Sequence, residues 1–140
     1  MFGLKLISAV VLQKLHWPVE DQRAVLLIVN AKSPWLGAYL IFFAVVLAPV
    51  AEEFVFRGLL FSTAKKLGWP KLGWIGVSLL FALIHVNAPT FLSLFVFALA
   101  LTWLYEKTDG LLAPIIAHSL FNTANLILLL VAVKYYHLSP

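Results

Sequence analysis

Glu52, His85, His118 and Asn122 are polar residues set inside runs that are otherwise apolar. Their side-chain types are those that hydrolysis of an amide requires. A carboxylate or an imidazole can take a proton from water, while imidazole and amide N–H groups can hold the negative oxygen that develops on a carbonyl under attack. The densest of these stretches is APVAEEFVFRG at 48–58, where Glu52, Glu53 and Arg57 interrupt an apolar helical run. Ionisable groups at such depth cost about 2.5–3.5 kcal/mol each by membrane-insertion scales, so they rarely persist without a use. An active site inside a membrane is the reading that this pattern favours.

On a helix, neighbouring residues point about 100° apart and residues four apart share a face. Glu53 and Arg57 are therefore placed to pair, which offsets part of the burial cost and leaves Glu52 facing elsewhere. A Glu–Arg network that only pins helices together is the plainer reading of these residues taken alone. His118 and Asn122 also share a face, and by themselves they could simply hold two helices together by hydrogen bonds. Thr123, Asn125 and Asn87 read as caps and packing groups, and His16 and His137, near the termini, as interfacial residues.

The elements that must position these groups follow from composition. Hydrophobic residues make up 63% of the chain, charged residues 11%, and the mean hydropathy is +0.99, well beyond what a soluble domain needs. The fold class is accordingly all-α, a polytopic bundle of about four membrane helices with an N-terminal interfacial or partial helix. The net charge of +4 does not point to nucleic acid, because Lys and Arg sit at the ends of apolar runs. There they anchor helices and meet lipid headgroups. With no Cys, thiolate chemistry and thiolate metal sites are excluded.

Residues 1–35 read as an amphipathic or interfacial segment, with a short helix near 20–31 between Pro18 and Pro34. A long helix is predicted from Pro34 to Lys66, bent by Pro49 one turn before the carboxylates. The loop KKLGWPKLG follows, and further helices are predicted over about 74–86, 90–106 and 111–133. Depth can be counted from the face carrying Lys65, Lys66, Lys71 and Asp109. At about 1.5 Å per residue, Glu52 and Glu53 lie about 20 Å in, His85 about 18 Å, His118 about 12 Å and Asn122 about 18 Å. Helices that pack together would let Glu52, His85, His118 and Asn122 line one cavity.

Three segments carry a family resemblance. EEFVFR at 52–57 resembles an EExxxR motif, FALIH at 81–85 an FxxxH motif and HSLFN at 118–122 an HxxxN motif. In this order they are those of the CPBP intramembrane proteases, the CAAX prenyl protease and bacteriocin-processing family also called Abi. The stretch YEKTDGLLAPIIAH at 105–118 is similar to the family's lead-in to its last motif. The resemblance spans about 36–130, implying a protease core over 36–133, and the chain is shorter than most members, as a truncated or minimal version would be.

The resemblance implies that Glu52 is the general base activating water, with His85 beside it. It implies that His118 and Asn122 bind or polarise the scissile carbonyl, and that Glu53 with Arg57 holds the site in shape. Members have been described both as metalloproteases and as metal-free glutamate enzymes. Either no cofactor is needed, or Glu52, His85 and His118 form a His2Glu zinc site that keeps one position for water. The substrate implied is a hydrophobic or lipid-anchored peptide or protein, met within the lipid of a bacterial plasma membrane. Eukaryotic members remove the last three residues of prenylated CAAX proteins, while bacterial members are associated with peptide maturation or bacteriocin immunity. The alternative from another class is a non-catalytic membrane scaffold or regulator that keeps the polar cluster for packing. An ion pathway would need polar groups on both sides of the cluster, and 36–50 and 126–133 offer almost none. Lys65, Lys66, Lys71 and Lys107 are set against Lys14, Arg23, Lys32 and Lys134 in a nearly tied charge count; the first group, clustered in short loops, reads as cytoplasmic.

Overall fold

The computed structural model describes residues 27–28, 31–86 and 88–136, apart from the side chains of 129 and 132–136. The interfacial segment expected over 1–26, with His16, and the terminal His137 lie outside the described residues, as does Asn87. Leu27 and Ile28 are helical, within the span where a short helix was expected. The described residues form no strand and give four successive helices, a helical membrane bundle. They are α1, Pro34–Lys66; α2, Pro70–Ile84; α3, Ala88–Thr108; and α4, Leu112–Tyr136.

Helix α1 starts where proline is favoured. Ser33 caps it, its hydroxyl accepting from the Leu36 N–H at 3.2 Å, and Pro34 occupies the first turn, where a missing N–H costs nothing. The helix is not uniform: π-helical turns over Phe43–Leu47 and Phe54–Phe61 flank the α-helical segment Ala48–Glu53 that carries both glutamates. Where the sequence places a proline bend, the structure has the first of these π turns, ending two residues before Pro49.

The α1–α2 turn is a Schellman motif. Gly68, at φ +86°, lets its own N–H reach Lys65 O at 3.1 Å and the Trp69 N–H reach Ala64 O at 3.0 Å. Pro70 then opens α2. The expected loop thus ends four residues early, and Gly73, placed in that loop by the sequence, lies inside the helix. At the far end, His85 caps α2 rather than continuing it, with φ −76° and ψ −8°. Helix α3 takes Pro89 in its first turn, and Asp109 and Gly110 turn the chain into α4, Asp109 in the left-handed region at φ 49°.

The described residues divide into two compact units, Glu53–Pro114 and 27–52 with 115–136. In the first, Phe56 and Phe61 of α1 bury against Val77, Phe81 and Ala82 of α2 and Leu94, Phe97, Ala98 and Leu101 of α3. Phe56 and Phe81 meet edge to face at 5.1 Å, and the Trp74 indole donates to Leu99 O at 3.0 Å, tying α2 to α3. Large apolar side chains such as Phe54, Ile75, Leu83 and Trp103 stay exposed. Beside lipid such exposure is not penalised, and association rests on close packing and hydrogen bonds instead. Helix α3, at 21 residues, and the longer α1 are apolar enough and long enough to cross a bilayer, which takes about 20 residues.

Close approach is sharpest at Gly73, where an added Cβ would lie 2.6 Å from the Ala64 Cβ. Gly73→Ala is expected to destabilise the protein by about 1–3 kcal/mol through overpacking. Gly76→Ala, on the same helix with nothing within 4 Å, should hold or raise stability because alanine is the better helix former. Thermal melts of both variants in detergent check the pair.

Candidate active site

The two adjacent glutamates face different surroundings. Glu53 is fully buried, and its Oε1 accepts from Arg57 Nη1 at 2.9 Å, one helical turn along. Arg57, also fully buried, donates further from Nη2 to Ala98 O at 2.9 Å and from Nε to Thr102 Oγ1 at 3.4 Å. Its guanidinium carbon lies 5.1 Å from the centre of the Phe81 ring, a cation–π contact. Thr102 in turn donates to Ala98 O at 3.0 Å. One arginine thus gathers α1, α2 and α3 within the Glu53–Pro114 unit. Sequence reasoning found the Glu53–Arg57 pair and missed Thr102, Ala98 and Phe81 as its partners. Thr102 carries a faint signal, a hydroxyl in the apolar run ALALTWL.

His85 belongs to the same unit. Its Nδ1 lies 2.7 Å from Phe81 O, and its ring packs on Phe81 at 4.7 Å between centroids. A carbonyl oxygen only accepts, so Nδ1 carries the hydrogen and the neutral ring keeps its lone pair on Nε2. Phe81 therefore serves twice, under Arg57 and under His85, and its backbone fixes the histidine's tautomer. His85 itself is exposed.

Glu52 falls in the other unit, with a partly exposed side chain 3.7 Å from Nε2 of the buried His118. That separation suits an ion pair when the imidazole is protonated and is too long for a direct hydrogen bond. One turn further along α4, Asn122 donates from Nδ2 to Ala44 O at 2.9 Å. The structure therefore brings Glu52 to His118 and Asn122 to the α1 backbone. Thr123 and Asn125 donate to the carbonyls of Ser119 and Phe121 in their own helix, both at 2.7 Å.

A family model described as type II CAAX prenyl endopeptidase Rce1-like matches residues 34–124, more than half of the chain. The chain belongs to this Rce1-like family. No curated protein and no solved structure matches it.

The Rce1-like match begins at the first residue of α1 and ends just beyond Asn122, so it takes in Glu52, Glu53, Arg57, His85, His118 and Asn122. The family is one of proteases, and its match together with the apolar helices makes the chain an integral membrane protein of protease type. The His2Glu zinc alternative asks three ligands to converge. Among the described residues, no three His, Asp or Glu side chains gather to hold a metal. Within the unit that holds Glu52 and His118, these two are the described carboxylate and imidazole groups, one short of such a set.

Arg57 stays charged at any pH a protein tolerates, so losing it leaves the Glu53 carboxylate buried without its cation. Arg57→Ala is expected to cost about 3–5 kcal/mol, the range for breaking a buried pair. A drop in melting temperature in detergent, shared by Glu53→Ala, is the measurement; melting like wild type in both variants would show that the pair is not a support.

Proposed function

We propose that this Rce1-like chain is an intramembrane endopeptidase that hydrolyses a peptide bond by glutamate-activated water. The observation that carries the proposal is the Glu52–His118 approach at 3.7 Å, a carboxylate and a buried imidazole facing each other in an apolar helical unit. Glu52 takes a proton from water as the water oxygen bonds to the scissile carbonyl carbon. His118 donates from Nε2 to the oxygen that becomes negative. When the tetrahedral intermediate collapses, the C–N bond breaks and the proton held by Glu52 passes to the leaving nitrogen, giving an amine and a carboxylic acid that then releases its proton to solvent. Asn122 belongs to the same polar face of α4 as His118. Glu53 and Arg57 hold together the unit formed by Glu53–Pro114.

The family match supports, as substrate, a hydrophobic or lipid-anchored peptide or protein presented from the bilayer, in the manner of a CAAX-type terminus. We place the chain as a multi-pass protein of a bacterial plasma membrane, with Lys65, Lys66, Lys71 and Lys107 on the cytoplasmic side. The match to a family of proteases and the Glu52–His118 pair support this reading over a non-catalytic scaffold or immunity protein.

Glu52→Gln keeps the shape of the side chain and removes its ability to take a proton. Cleavage of a prenylated CAAX-type peptide by the purified variant is expected at background level, with melting temperature and membrane insertion as in wild type. Turnover at the wild-type rate would remove Glu52 from the mechanism.

A metal-free reaction also forecasts that a chelator leaves the rate unchanged. Elemental analysis should find no stoichiometric zinc in wild type or in His118→Ala. Zinc at one per chain in the first and absent from the second would replace the mechanism with a metal-dependent one.

A further inference from the structure

Asn122 donates to a backbone carbonyl whose own helix has no donor left for it. In the π turn of α1, the Ala48 N–H reaches back five residues to Phe43 O. Ala44 O is next in line. The donor one step on is residue 49, and Pro49 has no N–H. The amide that would serve Ala44 O in an ordinary α-helix is that of Ala48, already used by Phe43. At membrane depth no water replaces the missing bond, so such a carbonyl needs a partner from another element. Asn122 Nδ2, at 2.9 Å, is that partner.

The same helix face of α4 carries His118, which meets Glu52 eight residues along α1 from Ala44. Two attachments from one face, one to the backbone and one to the reacting carboxylate, fix both the axial position and the rotation of α4 against this part of α1. Pro49, between them, is fully buried. We infer that Asn122 is a positioning residue: its amide stands in for the N–H that Pro49 lacks, and through Ala44 it sets the register in which His118 meets Glu52. This deepens the endopeptidase reading and rests on it for the catalytic part. It assigns Asn122 to the backbone of α1, where the sequence motif alone points to the substrate carbonyl.

The clamp makes a forecast that direct action on the substrate does not. Pro49→Ala supplies an N–H at position 49. Whether the turn stays π-helical or returns to α, Ala44 O then gains a donor from its own helix, and Asn122 becomes dispensable. Restoring a helical N–H carries little folding risk. The experiment is a double-mutant cycle of Asn122→Ala and Pro49→Ala in purified, detergent-solubilised full chain. It reads melting temperature, kcat and KM for a prenylated CAAX-type peptide, and the ring-nitrogen signal of His118 in 15N-histidine-labelled protein.

In the wild-type background, Asn122→Ala is expected to lower the melting temperature and to lower kcat per folded molecule about 10²-fold, the scale of an ångström-level misplacement, with KM little changed. It should also move the His118 signal towards that of Glu52→Gln. In the Pro49→Ala background all three effects should shrink, the kcat loss by about tenfold or more, against the 10²-fold taken from misplacement. An equal kcat loss in both backgrounds would make Asn122 a direct oxyanion donor and overturn the inference. Coupled melting with kcat per folded molecule unchanged would make it purely structural and overturn it equally. Should Asn122→Ala fold only alongside Pro49→Ala, the coupling is demonstrated in its strongest form, and failure to fold in both backgrounds contradicts it. If wild type cleaves nothing, the endopeptidase reading fails by itself. The inference then stands or falls on whether the melting and His118 shifts are suppressed by Pro49→Ala.

Discussion

A guanidinium with no exposed surface cannot shed its charge, so everything around Arg57 has to supply acceptors. Glu53 gives a carboxylate, Ala98 a carbonyl, Thr102 a hydroxyl and Phe81 the face of a ring. Those demands turn Glu53 inward. Because successive helical residues point about 100° apart, they also turn Glu52 away from Arg57. The different surroundings of two adjacent, chemically equivalent residues are thus set by one buried cation.

The backbone of α1 supplies the second constraint. A helix in lipid must satisfy its own N–H and C=O groups, and both proline and π-helical turns disturb that pairing. Here the disturbances bracket the glutamates: the π turn over Phe43–Leu47 and Pro49 precede them, and the π turn over Phe54–Phe61 follows. The carbonyl stranded by the first is met by Asn122. With no hydrophobic effect to drive helices together inside a bilayer, hydrogen bonds such as this one and that from Trp74 to Leu99 O carry a share of packing that apolar burial would carry in water.

Much of this was legible in the amino-acid order. Composition alone points to an all-α membrane bundle, and EEFVFR, FALIH and HSLFN mark the family to which the chain belongs. The i, i+4 spacing foretells the contact of Glu53 with Arg57. Helix ends were harder, because a proline reads as a breaker although it also starts helices: Pro70 opens α2, which draws Gly73 into the helix. Partners that are backbone atoms leave no trace in residue identity. Ala98 O and Ala44 O are therefore invisible to pattern reading, although Pro49 does announce that some carbonyl a turn earlier must find a donor elsewhere. The π turns are equally silent, since they differ from α only in which carbonyl each amide chooses.

In the proposed mechanism Glu52 does chemistry while Glu53 does architecture. The most direct test is the single-turnover cleavage rate per folded molecule of Glu53→Gln, measured well below its melting temperature, beside that of Glu52→Gln. An uncharged glutamine at 53 still offers Arg57 an acceptor oxygen, so this variant should melt earlier yet cleave at a rate close to wild type, while Glu52→Gln melts normally and does not cleave. Loss of cleavage in Glu53→Gln with retained cleavage in Glu52→Gln would reverse the two assignments.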